Sequence, residues 1–123
     1  MKRYKMQSLG RPAFFLMPSL KLKLLMEPER ITVEAHLHQV LVQEFGGYTA
    51  ASSTMYGFWM RDDGEVAYGE HRAYRVAFLG KERIPTLTML LAEVAHRIDE
   101  RCIYLETGEE ASLVYAIEPV SIE

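Results

Sequence analysis

Residues 45–71 read FGGYTAASSTMYGFWMRDDGEVAYGEH, and this stretch determines the centre of the fold. Gly46-Gly47 follows an amphipathic segment, and glycine readily takes the left-handed backbone conformation that ends a helix. Asp63-Gly64 lies between two runs rich in aromatic residues, and an Asp-Gly pair favours a tight hairpin turn because it tolerates positive φ. The stretch therefore predicts a helix end followed by a β-hairpin at the centre of the chain.

Two amphipathic helices are predicted, one on each side of this hairpin. The first begins after Thr32, whose hydroxyl can accept a hydrogen bond from a free backbone N–H, and it ends at Gly46. The second runs from about Ile84 to Glu100, with Pro85 in the first turn, where a missing N–H costs nothing. Apolar residues recur at helical spacing in both segments and form one stripe on each: Val33, Leu37, Val40, Leu41 and Phe45, then Ile84, Leu87, Leu91, Val94, Ala95 and Ile98.

Runs of β-forming residues predict the strands. Residues 20–24 alternate leucine with lysine, which predicts a strand with its leucines toward a core and its lysines toward water. The other predicted strands are residues 13–17, 48–54, 56–61, 65–68, 74–79, 102–106 and 111–117. This order of elements predicts an α+β two-layer sandwich of the ferredoxin-like, βαββαβ type, with two helices on one face of an antiparallel sheet.

Charge divides the chain into two parts. Residues 1–11 hold four basic residues and no acidic one, which predicts a flexible basic N-terminal tail. Residues 12–123 hold 10 basic and 17 acidic residues, a net charge of −7, and are long enough for a single α+β domain with one core. The acidic domain argues against nucleic acid as a partner.

Composition indicates a soluble globular protein, with 49% hydrophobic and 25% charged residues. No apolar run approaches the ~20 residues that span a bilayer, so we expect no membrane association. Cys102 is the only cysteine, which excludes an internal disulfide and fits a reducing compartment. We therefore expect a cytoplasmic protein in which Cys102 is a buried structural thiol.

An antiparallel sheet with both helices on one face leaves its other face uncovered. Large apolar residues alternate along the predicted strands, at Tyr56, Phe58 and Met60 and again at Tyr74 and Phe78. Apolar side chains on an uncovered face need a partner. The pattern therefore predicts a homodimer formed through the sheet face.

The pattern Phe45-Gly46-Gly47-x-Thr49, Gly57-x-Trp59, Gly64 and Glu70 resembles a group of small uncharacterised bacterial proteins. The resemblance covers about residues 37–107. It implies a ferredoxin-like α+β fold and, because some of those proteins occur on mobile elements, an association with such an element. It implies no particular activity.

The candidate binding site lies between the Gly46-Gly47 turn, the strand that holds Trp59, and Glu70. Tyr56 and Trp59 can stack on a flat ligand, and Glu70 can accept a hydrogen bond from a donor on that ligand. We therefore predict a small-molecule site formed by Tyr56, Trp59 and Glu70. The alternative for these aromatic rings is core packing or a dimer contact.

Two other functions are open. The chain is a small enzyme if Glu44 or Glu70 serves as a general base, since a carboxylate near apolar groups acquires a raised pKa. It is a nucleic-acid-associated accessory protein of a mobile element if the basic tail and the sheet aromatics act together.

No metal site and no cofactor are predicted. His36 and His38 are two residues apart, which places them ~200° apart on a helix, too far round to bind one ion together. The sequence holds no phosphate-binding loop and no dinucleotide fingerprint, because Gly46-Gly47 follows a helix and does not precede one.

Overall fold

The computed structural model of the chain describes residues 2–118. Over these residues the chain forms eight strands and two helices, joined by turns and two short 3-10 segments. In chain order they are β1 (Arg11–Pro18), β2 (Leu25–Met26), β3 (Ile31–Thr32), α1 (Val33–Phe45), β4 (Thr49–Ala50), β5 (Met55–Met60), β6 (Val66–Phe78), α2 (Ile84–Arg97), β7 (Cys102–Glu106) and β8 (Ala111–Tyr115). None of the helices in this part of the chain has the length and apolar character needed to cross a membrane.

The main sheet has six strands in the order β4-β6-β1-β7-β8, and β5 pairs with the other half of the long strand β6. All of these pairs are antiparallel. β2 and β3 form a separate two-stranded ribbon before α1. The structure confirms the α+β class, with two helices packed on an antiparallel sheet.

The core lies between the two helices and one face of the sheet. Alternate residues of β1 and β6 point into it, and Phe15 of β1 stacks on Tyr74 of β6 with 5.1 Å between ring centroids. The predicted helical stripes supply the other side of the core, with Val33, Leu37 and Leu41 from α1 and Leu87, Leu91, Val94 and Ala95 from α2 all fully buried. Tyr74 and Phe78 belong to this core, so they do not contribute to an uncovered sheet face.

The predicted start and end of α1 are confirmed. The Thr32 hydroxyl accepts a hydrogen bond from the backbone N–H of Ala35 at 3.1 Å. Gly46 ends the helix with φ of 80°, in the left-handed region, and its N–H donates to the carbonyl of Val42 at 2.9 Å. The cap and the glycine therefore act as the sequence predicts.

Residues 20–24 do not form the predicted strand. β1 ends at Pro18, and the next three residues make a 3-10 turn that leaves Leu20 85% exposed and buries Leu22. The segment turns toward the start of α1. There the N–H of Glu34 donates to the carbonyl of Leu22 at 2.9 Å, and this hydrogen bond holds the turn in place. Tertiary contacts at the helix start therefore override the leucine–lysine alternation.

β6 is one strand of 13 residues, although its middle looks like a break in the sequence. Residues 69–73 contain a glycine and three charged or polar residues, yet they stay extended because β5 pairs on one side up to His71 and β1 pairs on the other side from His71 onward. In the half of β6 that pairs with β5, Val66 and Tyr68 are more than half exposed, so the helices do not cover this part of the strand.

Arg11, the last residue of the predicted tail, begins β1. Its Nη1 donates to the carbonyl of Thr107 at 2.8 Å, which ties it to the end of β7. Residues 2–10 form no regular element and are exposed. The flexibility of this segment stays a prediction, and the last five residues of the predicted domain lie outside the described part.

Candidate functional site

A groove lies on the helix-free face of the sheet. In β7 and β8 the residues that face the helices, Ile103 and Val114, are buried, so their neighbours point the other way. Tyr104 lies opposite Leu113 in the paired strands, which places both side chains on this second face. The outward-pointing residues of β7 and β8 thus form the floor of the groove.

The β5–β6 hairpin supplies the wall. The chain from Met55 to Asp62 lines the groove along one side, and its volume is about 630 Å³. The remaining lining residues are Leu16, His71, Glu100, Arg101, Cys102, Tyr104, Leu113 and Tyr115. A concave, mostly apolar and aromatic space of this size is typical of a site for a small organic molecule.

An ion pair closes one end of the groove. Asp62, at the hairpin turn, accepts a hydrogen bond from Arg101 Nη2 at 3.2 Å, and Arg101 precedes β7. The guanidinium carbon of Arg101 also lies 5.9 Å from the ring centroid of Tyr115. The turn of the hairpin therefore lies beside the start of β7. The Arg101 guanidinium lies over the Tyr115 ring, which is one of the aromatic rings of the groove.

Trp59 and His71 lie side by side in the wall, with 6.1 Å between their ring centroids. Trp59 is 49% exposed, so one part of the indole is packed and the other part is free to contact a ligand. Partial burial lowers the pKa of His71 below its ordinary value, and the carboxylate of Glu100 offsets part of this effect. The imidazole is therefore neutral near pH 7 and adds no positive charge to the groove.

Cys102 is half-buried in the floor of the groove. Burial raises the pKa of its thiol, and the neighbouring Arg101 guanidinium opposes this rise. A neutral thiol is a weak nucleophile, so the prediction of a structural cysteine fits its surroundings.

The opposite face of the hairpin carries a second feature, which we call the aromatic surface: Tyr56, Phe58, Met60, Val66 and Tyr68. These side chains are each more than half exposed, between 54% and 71%. The three aromatic rings contact one another, with centroids 5.3 to 6.3 Å apart. An exposed apolar area of this extent on a single hairpin is unusual for a protein that has no partner.

Glu70 lies at the end of the aromatic surface, directly opposite Tyr56 in the paired strands. Its backbone carbonyl accepts a hydrogen bond from the Ser19 hydroxyl at 3.2 Å. Partial burial raises the pKa of the Tyr68 phenol, and the nearby Glu70 carboxylate raises it further. The carboxylate therefore stands beside two phenol rings at the surface of the molecule.

Tyr56 and Trp59 both belong to the segment that lines the groove, whereas Glu70 does not line it. Tyr56 and Glu70 share one face of the hairpin, whereas Trp59 pairs with Ala67 and points to the other face, into the groove. The physical reason is the alternation of side chains along a strand, because residues three apart point in opposite directions. The part that each residue plays in ligand binding stays a prediction.

The predicted glycine turn and Glu44 lie elsewhere. Gly46 and Gly47 line a separate open pocket of about 710 Å³ at another part of the sheet. There the Glu44 carboxylate Oε2 is 3.0 Å from Arg83 Nη2. The ion pair occupies the Glu44 carboxylate, which makes Glu44 a poor candidate for a general base.

His71, Arg101 and Tyr115 were not predicted as site residues. Alternation in β8 could have indicated Tyr115, because it follows Leu113 by two residues and therefore lies on the same face of the strand. His71 and Arg101 carry no comparable signal, since their positions depend on how the hairpin crosses the sheet. Within residues 2–118, no three His, Cys, Asp or Glu side chains are grouped so as to hold a metal ion.

Comparisons with known proteins identify the fold. No family model matches the sequence, and no curated protein matches it. Two solved structures are similar. One is a phage SAM lyase in complex with S-methyl-5′-thioadenosine, at a TM-score of 0.60 and 12% identity, covering 94% of this chain and 97% of that chain. The other is a phage SAM lyase in the apo state, at a TM-score of 0.55 and 11% identity, covering 97% of this chain and all of that chain.

Proposed function

We propose that this protein is an enzyme that binds S-adenosylmethionine in the groove and acts on it as a lyase, releasing S-methyl-5′-thioadenosine. The observation that carries the proposal is the aromatic groove on the helix-free face of the sheet, with Trp59 in its wall. The fold is shared, almost end to end, with a protein named as a SAM lyase and solved with this thioether nucleoside. Groove and fold support the same class of ligand.

The chemistry of the groove suits a sulfonium nucleoside. A purine is flat and stacks on an indole or phenol ring. A sulfonium is a cation without hydrogen-bond donors, and aromatic faces attract such cations. Trp59, Tyr104 and Tyr115 supply aromatic rings, and the neutral His71 does not repel positive charge. Two acidic residues, Asp62 and Glu100, and two arginines, Arg61 and Arg101, belong to the lining, so its formal charges sum to zero and do not exclude a cationic ligand.

The proposed reaction breaks the bond between sulfur and the first carbon of the amino-acid arm. The electron pair of this bond goes to sulfur, which becomes a neutral thioether. The carbon that has lost its bond to sulfur forms a new bond by one of two routes, and neither route consumes water. Either the ligand's own carboxylate oxygen bonds to it and closes a lactone, or a base removes a proton from the adjacent carbon and a double bond forms. In the lactone route the atoms of the two products add up to those of the substrate. In the elimination route the two products and the proton held by the base together add up to it, and the base later releases that proton to solvent.

Glu70 is the proposed base in the second route, and its position sets a condition. Within one chain Glu70 and Trp59 lie on opposite faces of the hairpin. A ligand that lies against Trp59 in the groove therefore meets Glu70 most directly when Glu70 comes from a second copy of the protein. Glu44, which is paired with Arg83, is the weaker candidate.

We therefore also propose that the protein is a homo-oligomer in which the aromatic surface of one copy, with Glu70 at its end, packs beside the groove of the next. The support is the set of five apolar side chains that stay more than half exposed on one hairpin. Native mass spectrometry measures the number of copies directly and detects any nucleoside that is retained. A strict monomer at high protein concentration would contradict the proposed assembly.

Ligand binding is tested by titrating the protein with S-methyl-5′-thioadenosine in a calorimeter. The Trp59→Ala variant should lose binding while its circular dichroism spectrum stays that of a folded protein. Met89→Ala is the matched control, because Met89 is 50% exposed on α2, away from the groove. Equal affinity of the Trp59→Ala variant and the wild type would place the ligand outside the groove.

Turnover is tested by incubating the protein with S-adenosylmethionine and identifying both products by mass spectrometry. A lyase yields S-methyl-5′-thioadenosine together with a four-carbon lactone or an unsaturated amino acid. Formation of homoserine at the earliest times, with no lactone before it, would indicate hydrolysis and refute the lyase assignment. Tight binding of the substrate without products would leave a ligand-binding protein.

Two finer assignments remain our proposals. The ferredoxin-like topology is supported by the order β7-β1-β6-β5 of the strands that flank the helices, to which β8 adds an edge. The link to a mobile element is supported by the phage source named for both similar structures.

A further inference from the structure

Glycine stands opposite glycine in the hairpin that forms the groove wall. Gly57 of β5 pairs with Gly69 of β6, and both positions face the groove, as Trp59 and His71 do. The surroundings of the two glycines differ sharply. A Cβ at Gly57 would meet no atom within 4 Å, whereas a Cβ at Gly69 would lie 2.8 Å from Cη2 and 2.9 Å from Cζ3 of Trp59.

The indole therefore lies directly over the backbone of Gly69. Trp59 is opposite Ala67, which is 4% exposed, and its ring extends along the diagonal to the next position on the same face. Aromatic rings reach such diagonal neighbours and cover a glycine in a partner strand. A Cβ at Gly69 would also lie 2.6 Å from Cε1 of His71, so the imidazole packs against the same patch of backbone.

We propose that Gly69 is a positioning residue that seats the Trp59 indole against β6 and thereby sets the width of the groove. Any side chain at position 69 pushes the outer ring of the indole away from the strand. Trp59 is 49% exposed and lines the groove, so the ring can move away from the strand into the groove, and this displacement narrows the site. This inference rests on the proposed function where it concerns ligand affinity, but the seating of the indole can be tested without any ligand.

The experiment compares Gly69→Ala with Gly57→Ala. Both replace glycine by alanine at directly opposite positions of one hairpin, so they change backbone entropy and strand propensity alike. Trp59 is the only tryptophan, so intrinsic fluorescence reports on its position. Gly69→Ala should shift the emission to longer wavelength and increase quenching by acrylamide, whereas Gly57→Ala should leave both unchanged. Unchanged emission and quenching in Gly69→Ala would overturn the proposed seating.

Affinity for S-methyl-5′-thioadenosine is measured on the same proteins. Because stacking of a base on an aromatic ring depends on the position of that ring, Gly69→Ala should weaken binding by roughly 5- to 150-fold. Shifted emission with unchanged affinity would overturn the effect on groove width. Failure of the wild type to bind the nucleoside would refute the proposed function, and the fluorescence result would still decide whether Gly69 seats the indole.

A double-mutant cycle covers the case in which Gly69→Ala unfolds the protein. Phenylalanine lacks the outer atoms Cη2 and Cζ3, so Gly69→Ala should destabilise a Trp59→Phe background less than it destabilises the wild type. The contact with His71 is present in both backgrounds and cancels. Equal destabilisation in the two backgrounds, measured by chemical denaturation, would overturn the proposed role of Gly69.

Discussion

Replacing Phe58 tests whether the aromatic surface joins copies of the protein. Phe58 is 65% exposed at the centre of this surface, between Tyr56 and Met60 on β5. With a whole aromatic side chain at about 200 Å², some 130 Å² of the Phe58 ring is open to water. At about 25 cal/mol per Å², covering that area is worth ~3 kcal/mol at each contact between two copies, because one aromatic surface takes part in each contact.

This magnitude predicts a large effect for Phe58→Gln. A loss of ~3 kcal/mol corresponds to a dissociation constant that is about 200-fold higher. The aromatic surface as a whole exposes roughly 500 Å², which approaches the ~800 Å² that each partner contributes to a standard interface. Removing its central ring should therefore convert most of an oligomer to monomer at micromolar concentration.

Analytical ultracentrifugation over a range of protein concentrations measures the change. Met89→Gln is the control, because it replaces a half-exposed apolar side chain on α2 by the same polar residue. At a protein concentration at which both proteins are monomeric, the midpoint temperature of unfolding of the Phe58→Gln variant should be close to that of the wild type. An unchanged distribution of species in Phe58→Gln, next to an oligomeric wild type, would refute the assignment of the interface.

Three further predictions concern stability. Phe15→Ala empties a fully buried position between the sheet and the helices and should cost about 3–5 kcal/mol of unfolding free energy, measured by urea denaturation. Thr32→Ala removes the acceptor for the N–H of Ala35 and should cost ~1 kcal/mol, whereas Thr32→Ser should retain most of it. Partial burial lowers the pKa of His36 and of His71, so the unfolded chain binds more protons than the native state. The free energy of unfolding should therefore be highest above the ordinary histidine pKa of about 6.5 and should decline as the pH falls through that value. An unfolding free energy that stays constant from pH 7.5 to pH 5, roughly one unit on either side of that value, would contradict this linkage.

Local sequence patterns determined the elements of the fold. Helical spacing of apolar residues, the Thr32 cap and Gly46 bound α1, and the Asp63-Gly64 turn set the β5–β6 hairpin. These features depend on residues close together in the chain, where backbone geometry and hydrogen bonding act directly. The alternation in residues 20–24 failed because the contact that decides their path, with the start of α1, is formed by tertiary structure.

The candidate site depends on contacts that no local pattern contains. Alternation along a strand is enough to separate Tyr56 from Trp59, but it does not say which of them meets the floor of the groove. That choice follows from the path of the hairpin across the helix-free face, where Asp62 reaches Arg101 across 39 positions of the chain. The helices, the hairpin and most of the core follow from the sequence, because short-range periodicity governs burial. The common groove of Trp59, His71, Tyr104 and Tyr115 follows from the tertiary structure alone, because strand order and the direction in which the hairpin bends bring distant residues together.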